Sequence, residues 1–370
     1  MHLEARLCYD CDRGSVLGHR CCLRVRLGRH KRWRFKIRQP IARLLVVGLA
    51  LAAAAVVLGC GGEEGADRGV PMFRGDRAHT GVNPGPGVEH SPKLLWRFKA
   101  GDFVGSSPAV VDGVVYIGGG DSVYALDAAT GQERWRFQTG DSVGSSPAVV
   151  DGVVYIGGGD GYVYALDAAT GEERWRFQTG DSVGSSPAVV DGVVYIGSWD
   201  SHVYGLEAAT GQERWRFQTG DYIVSSPAVV DGVVYIGSYD RYVYALDAAT
   251  GEQRWRLKVG HIARSSPAVV DGAVYIGSSY DRYVYAVDSA TGEQYWRSVT
   301  GGPGFSSPAV VDGVVYIGSV DGYVYALEAA TGQERWRFMT SGPGFSSPAV
   351  VDGVVYIGSD DGYVYAITEG

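Results

Sequence analysis

Few residues in this sequence are spaced for chemistry, and they fall in two groups. Cys8-x-x-Cys11 with His19, Cys21 and Cys22 offers the soft ligands and the short spacing of a small zinc site. Seven aspartates (Asp121, Asp160, Asp200, Asp240, Asp281, Asp321 and Asp361) recur once in every forty or so residues, and carboxylates could ligate calcium if several converged. His79, His90, His202 and His261 have no evident nucleophile or carboxylate partner, so a hydrolytic triad finds no support. Context argues against both metals. The cysteine segment is Arg-rich and lacks an apolar pattern that could fold around an ion. Each aspartate precedes Gly or a polar residue in an apparent hairpin, where an Asx-type turn is the ordinary role, and repetition holds the seven apart. The expectation is no metal site and no catalytic residue.

The chain has 370 residues and five cysteines, all at or before Cys60. The chain beyond Cys60 therefore has no disulfide or thiol chemistry. Residues 1–59 hold 12 Lys/Arg against three acids, leaving 21 basic and 38 acidic residues afterwards, a net charge of -17. An acidic body behind a basic leader does not suit nucleic-acid binding, which rests on Lys and Arg meeting phosphate. It suits an exported domain. Residues 44–59 are apolar and follow a basic stretch. At about 1.5 Å per residue they span about 24 Å, short of a hydrocarbon core of about 30 Å and suited to a signal-peptide core. A translation start at Val16 or Val25 would give that leader a normal length.

The run ends Val57-Leu58-Gly59-Cys60, which resembles a bacterial lipobox and implies lipidation of Cys60. Residues 60–71, opening Cys-Gly-Gly-Glu-Glu-Gly, then read as a flexible tether, and 72–93 as an N-terminal segment of the folded body. The expected location is a membrane-anchored lipoprotein on the periplasmic or extracellular face.

From residue 94 the chain repeats. Trp96, Trp135, Trp175, Trp215, Trp255, Trp296 and Trp336 are spaced by 39, 40, 40, 40, 41 and 40 residues, and Ser-Ser-Pro-Ala-Val-Val recurs in step. Such a period marks one supersecondary unit that buries its faces only against its neighbours. In the unit 145–179, strands are predicted over 145–150, 153–157, 162–167 and 174–177, with Asp151-Gly152 as a two-residue hairpin turn. The inner strands are apolar on consecutive positions, as in a sheet covered on both faces. The fourth alternates Arg with Trp and Phe, which packs one face and leaves charge on an outer edge.

These features predict an all-β, seven-bladed β-propeller with four antiparallel strands per blade over 94–370. A β-sandwich would not require every sheet to be apolar on both faces. The chain ends on a third strand and the body opens, at 94–98, on a fourth. Pairing the two would complete the last blade and close the ring of a monomeric propeller.

Ala165-Leu166-Asp167-Ala168-Ala169-Thr170-Gly171 with Trp175, and its five relatives, resemble the repeat of quinoprotein alcohol dehydrogenases and PQQ-like propellers. The resemblance implies that the Asp-x-x-Thr-Gly turn and the Trp dock each blade against the next. Met72-Phe73-Arg74-Gly75-Asp76, followed by His79-Thr80-Gly81, is similar to the leader of the non-enzymatic members. A propeller on a lipid anchor also resembles the outer-membrane β-barrel assembly lipoprotein, though with seven units in place of eight. That family implies a non-enzymatic scaffold for protein or peptide binding in the cell envelope. The dehydrogenases imply the alternative, an oxidoreductase or its accessory using PQQ with calcium. An enzymatic member would be expected to carry a calcium-linked Asp/Glu/Asn set and often a vicinal disulfide, which a body without cysteine cannot form.

Where seven copies agree, the scaffold explains the residue. They disagree in two loops, between second and third strands and between one blade and the next, and both open on the same face. There the third to fifth repeats concentrate Trp199, His202, Tyr222, Tyr239, Arg241, His261, Arg264, Tyr280 and Arg282. Aromatics and Arg are enriched at binding hot spots, and positive charge on an acidic body would draw an acidic partner or an anionic ligand. The competing reading is ordinary loop drift.

Overall fold

Asp-Gly at each first turn sets the architecture. Asp151 (φ 49°) and Gly152 (φ 72°) are both left-handed, as a type I′ hairpin requires, and the same turn recurs at Asp112, Asp191, Asp231, Asp271 and Asp312. The computed structural model describes Phe73, Gly75, Asp76 and residues 94–368, apart from 102–103, 261–264, 279–280, 305, 344–345, 352 and 362. The chain divides into two units, Met1–Ala66 and Asp67–Gly370, and every described residue lies in the second. Cys60, the leader, the tether and most of 72–93 are outside the described residues.

Seven antiparallel sheets follow one another, over 109–138, 148–178, 188–218, 228–258, 268–299, 309–339 and 349–367 (blades 1 to 7). Six have four strands in sequential order and the last has three. The chain is a seven-bladed β-propeller. Blade 2 shows the plan, with strands Ala148–Val150, Val153–Gly157, Tyr162–Asp167 and Glu173–Gln178. Its second strand is buried throughout, while the fourth buries Trp175 and exposes the charges around it.

The innermost strand is shorter than the sequence suggests, three residues in place of 145–150. Pro147 has no N–H to give a ladder, and the two serines before it bond elsewhere. Ser145 Oγ accepts the Gly157 N–H within the blade (3.1 Å), and the Ser146 N–H donates to Ser186 Oγ of blade 3 (3.0 Å). The second bond recurs at every step from Ser107 N to Ser146 Oγ through Ser307 N to Ser347 Oγ, at 2.9–3.0 Å. One hydrogen-bonded chain thus runs through all seven blades.

Cores lie between blades. Tyr116, Val123 and Trp135 of blade 1 share a core with Val154, Ile156 and Leu166 of blade 2. Burying one such aliphatic side chain contributes about 1.5–3 kcal/mol, so adjacent blades hold one another through several equivalents.

The ring-closing strand expected at 94–98 is a correction. These residues form no strand, and among the described residues the last sheet stays three-stranded. Side chains anchor the segment on blade 1: Trp96 Nε1 donates to Ala128 O (2.9 Å), and Phe98 meets Tyr124 edge-on at 5.2 Å. This docking needs nothing from blade 7, so it forms without the main-chain ladder. Val110, on the first strand, is 57% exposed where its equivalents Val149 and Val229 are 4% and 2%.

Candidate functional site

Three kinds of side chain recur at the joints between blades. The first is the tryptophan of the fourth strand. Trp135, Trp175, Trp215, Trp255 and Trp296 are each 7–9% exposed. Each indole N–H donates to a carbonyl in the next blade's Asp/Glu-x-x-Thr-Gly turn: Ala168, Ala208, Ala248, Ser289 and Ala329, at 2.8–2.9 Å. The indole face lies on the glycine of that turn. A Cβ on Gly171 would come within 2.6 Å of the Trp135 ring, and Gly171 has φ 75°, so two constraints select glycine. Trp336 is half-buried.

The second is the aspartate heading that turn. Asp127 Oδ1 accepts from the N–H groups of Ala129 and Thr130 and the Thr130 hydroxyl, and Oδ2 pairs with Arg134 at 2.7 Å. The Arg134 guanidinium, then the Thr130 bonds, hold the Asp127 carboxyl down at about 2. Arg174 does the same for Asp167, also at about 2. Folded values below the unfolded one mean stability that is present above about pH 4 and lost as pH falls toward 2. At the alkaline end, burial first and the Asp160 carboxylate second push the Tyr164 phenol up, and burial with Asp200 does so for Tyr204. Stability is lost there as pH rises past about 10. The thermal midpoint followed from about pH 2 to 11 is expected to fall only below about 4 and above about 10. A decline beginning near about pH 6 would contradict this.

The third is the recurrent aspartate between second and third strands. Asp160 Oδ1 accepts the Tyr162 N–H, as an Asx-type turn predicts, but Oδ2 also takes the Tyr164 hydroxyl and the N–H of Gly140, both at 2.6 Å. Gly140 precedes blade 2, so the carboxylate clamps the linker to the blade. Asp200 and Asp240 repeat all three bonds. Composition does not reveal this role, although the Asp-to-Tyr spacing of four residues signals it. In blade 1 that spacing is three, and Asp121 bonds Ser122 and Gln138 instead. Asp160, Asp200 and Asp240 thus take three protein donors apiece and stand one per blade, not converging as a calcium site asks. Among the described residues no three His, Cys, Asp or Glu side chains converge as metal ligands.

The loops that depart from the repeat form a surface. Trp199 and Tyr222 stack with centroids 6.1 Å apart and planes at 28°, and Tyr222 meets Tyr239 at 5.2 Å. Backbone bonds hold the ladder in place: Trp199 N–H to Ser182 O (2.9 Å) and Tyr239 N–H to Tyr222 O (3.0 Å). The same bond recurs at Gly159 and Ser142, where no rings exist. Trp199 is 44% and Tyr222 47% exposed, and the three rings bridge blades 3 and 4.

His202 does not join them. Its Nδ1 lies 3.0 Å from Asp200 O and its ring 5.8 Å from Tyr204, back on its own loop. Arg241 and Arg282 are exposed at the corresponding loops of blades 4 and 5. His261, Arg264 and Tyr280 lie outside the described residues.

The comparisons agree with this architecture. Residues 88–180 match the family model for outer membrane protein assembly factor BamB, and 189–369 that for the beta-propeller of the beta-alanine-activating enzyme. No curated protein sequence matches the chain significantly. Among solved structures the chain is similar to BamB from Moraxella catarrhalis, with 25% identity over 74% of this chain and 88% of that one and a TM-score of 0.65. The fold also resembles the computationally designed Ika8 protein (21% identity, 71% and 83% coverage, TM-score 0.65). A europium-containing methanol dehydrogenase shares it at 15% identity, 70% and 72% coverage and a TM-score of 0.59. Repeat, blade architecture and these likenesses together make the chain a seven-bladed β-propeller, similar over residues 88–180 to the BamB family model and in fold to BamB itself.

Proposed function

We propose that this protein is a non-catalytic scaffold of the cell envelope, lipid-anchored through Cys60, whose rim over blades 3 to 5 docks a protein or peptide during outer-membrane protein assembly. The observation that carries the reading is the Trp199–Tyr222–Tyr239 ladder, exposed at its first two rings. It stands where one joint carries Ser142 and Gly159 and another Pro303 and Val320. Large rigid rings with nearby arginines are the composition of an interface hot spot. Likeness to BamB supports the assembly context, and the engagement of Asp160, Asp200 and Asp240 in blade clamps supports a propeller that does not use these carboxylates to hold calcium.

The test is photocrosslinking in membranes from an amber-substituted probe at Tyr222. A single envelope protein should crosslink, and the Tyr239→Ala/Arg241→Ala/Arg282→Ala variant should lose it. Equal capture by that variant would remove the rim from the account. Cys60→Ala should abolish incorporation of labelled palmitate and release the protein from the membrane fraction. Retained labelling would exclude Cys60 as the anchor.

A further inference from the structure

Backbone conformation separates Arg241 and Arg282 from ordinary loop drift. After the clamp aspartate the chain must turn through a left-handed residue. Blades 2 and 6 place glycine there, Gly161 at φ 81° and Gly322 at φ 82°. Blades 3, 4 and 5 place Ser201 (φ 70°), Arg241 (φ 80°) and Arg282 (φ 60°) in the same conformation. Side chains with a Cβ are disfavoured in that region, and Arg gains nothing from the local hydrogen bonding that lets Asn or Asp visit it. Two successive blades therefore carry strain to display a guanidinium.

Those guanidiniums also stand apart in what they touch. Every other described arginine of the six four-stranded blades meets a carboxylate or lies over a tyrosine ring, as Arg174 pairs with Asp167 and Arg256 covers Tyr242. Among the described residues Arg241 and Arg282 have no side-chain partner, and both are exposed. The neighbouring carboxylate of Asp240 is already taken by Tyr244 and Gly220. Strain without local compensation is what a binding residue shows when its partner is another molecule.

We infer that Arg241 and Arg282 receive carboxylates of an acidic peptide segment whose apolar side chains lie on the Trp199–Tyr222–Tyr239 ladder. This deepens the docking reading above and rests on it. A guanidinium binds carboxylate through paired, charge-assisted N–H donors. The aromatic ladder, which ends at Tyr239 two residues before Arg241, suits an extended chain carrying apolar groups rather than a lone small anion. Ser201, at the equivalent place in blade 3, puts no guanidinium at that end of the ladder.

Arg241→Gly and Arg282→Gly make the test, because each restores the residue that other blades use. The probes are a short labelled peptide alternating Glu with Phe, its Gln counterpart, and phosphatidylglycerol vesicles. The acidic peptide should bind by fluorescence anisotropy, the Gln peptide should bind at least about fivefold more weakly, and each glycine variant should lose about fivefold to tenfold. The same variants should melt about 2 °C higher, since relief of strain and loss of ligand act in opposite directions. Lower melting temperatures, equal binding of the Gln peptide, unchanged binding by the variants, or preference for the vesicles would each overturn the inference. A crosslinked partner insensitive to Arg→Gly would leave the scaffold standing and remove this site. Arg-dependent peptide binding with no envelope partner would do the reverse.

Discussion

Replacing Trp215 with alanine is expected to cost about 3–5 kcal/mol in urea denaturation, a large part of a domain's usual stability of about 5–15 kcal/mol. The indole is 7% exposed, lies on Gly251 and donates to Ala248 O at 2.9 Å. Its ring is 5.9 Å from that of Tyr195, whose hydroxyl shares the same carbonyl at 3.1 Å. Truncation leaves a void walled by strands that belong to two blades, and neither can collapse into it without breaking its own ladder. Gly251 cannot be enlarged to fill the space, because its φ of 74° excludes most side chains. Trp336→Ala supplies the contrast. That residue is half-buried, so its loss should cost clearly less, and equal losses at the two sites would contradict the account.

The second large effect is expected at the clamp. Asp240→Ala removes one carboxylate and leaves the Tyr244 hydroxyl, the Gly220 N–H and the Tyr242 N–H to find other partners. Tyr244 is 2% exposed, so its hydroxyl is poorly placed to recover water. A loss of about 1–3 kcal/mol is expected from orphaning the buried hydroxyl. Tyr244→Phe deletes one donor together with its need and should cost about 1 kcal/mol. The two substitutions share a bond, so their double mutant should lose less than the sum. Blade 1 provides an internal control. Asp121→Ala, where the carboxylate bonds Ser122 and Gln138 and not a buried tyrosine, should fall within about 1 kcal/mol of wild type. An equally large loss there would show that the turn, and not the clamp, carries the energy.

The blades are legible in the sequence because periodicity, the Asp-Gly turns and the apolar runs all report local structure. Strand ends are legible wherever a turn residue marks them. The length of the innermost strand is not, because Ser145 and Ser146 look like strand residues and only the structure shows Ser145 bonding through its side chain and Ser146 bonding the next blade. Asp160 and its relatives declare themselves as turn formers but not as clamps, since one carboxylate oxygen reaches a linker 20 residues away. Of the rim residues, Trp199, Tyr222 and Tyr239 emerge as one surface, while His202 folds back onto Asp200. Residue type hides the conformation of Arg241 and Arg282. Alignment with Gly161 and Gly322 holds the clue, but a positive φ at arginine runs against its intrinsic preference.

The bonds that join blade to blade connect residues close in sequence: the serine chain spans 39 to 41 residues and the tryptophan bonds 32 to 34. Folding can therefore begin at any blade and spread to its neighbour, and blades can order one after another as they leave the ribosome. Closing blade 1 onto blade 7 would be different in kind. It would bring together chain segments separated by nearly the whole propeller, with the loop-closure entropy that this entails. The expected kinetic signature is a fast, local phase that gains most of the β structure, and a slow phase seen only by probes at the two ends would reveal such a closure.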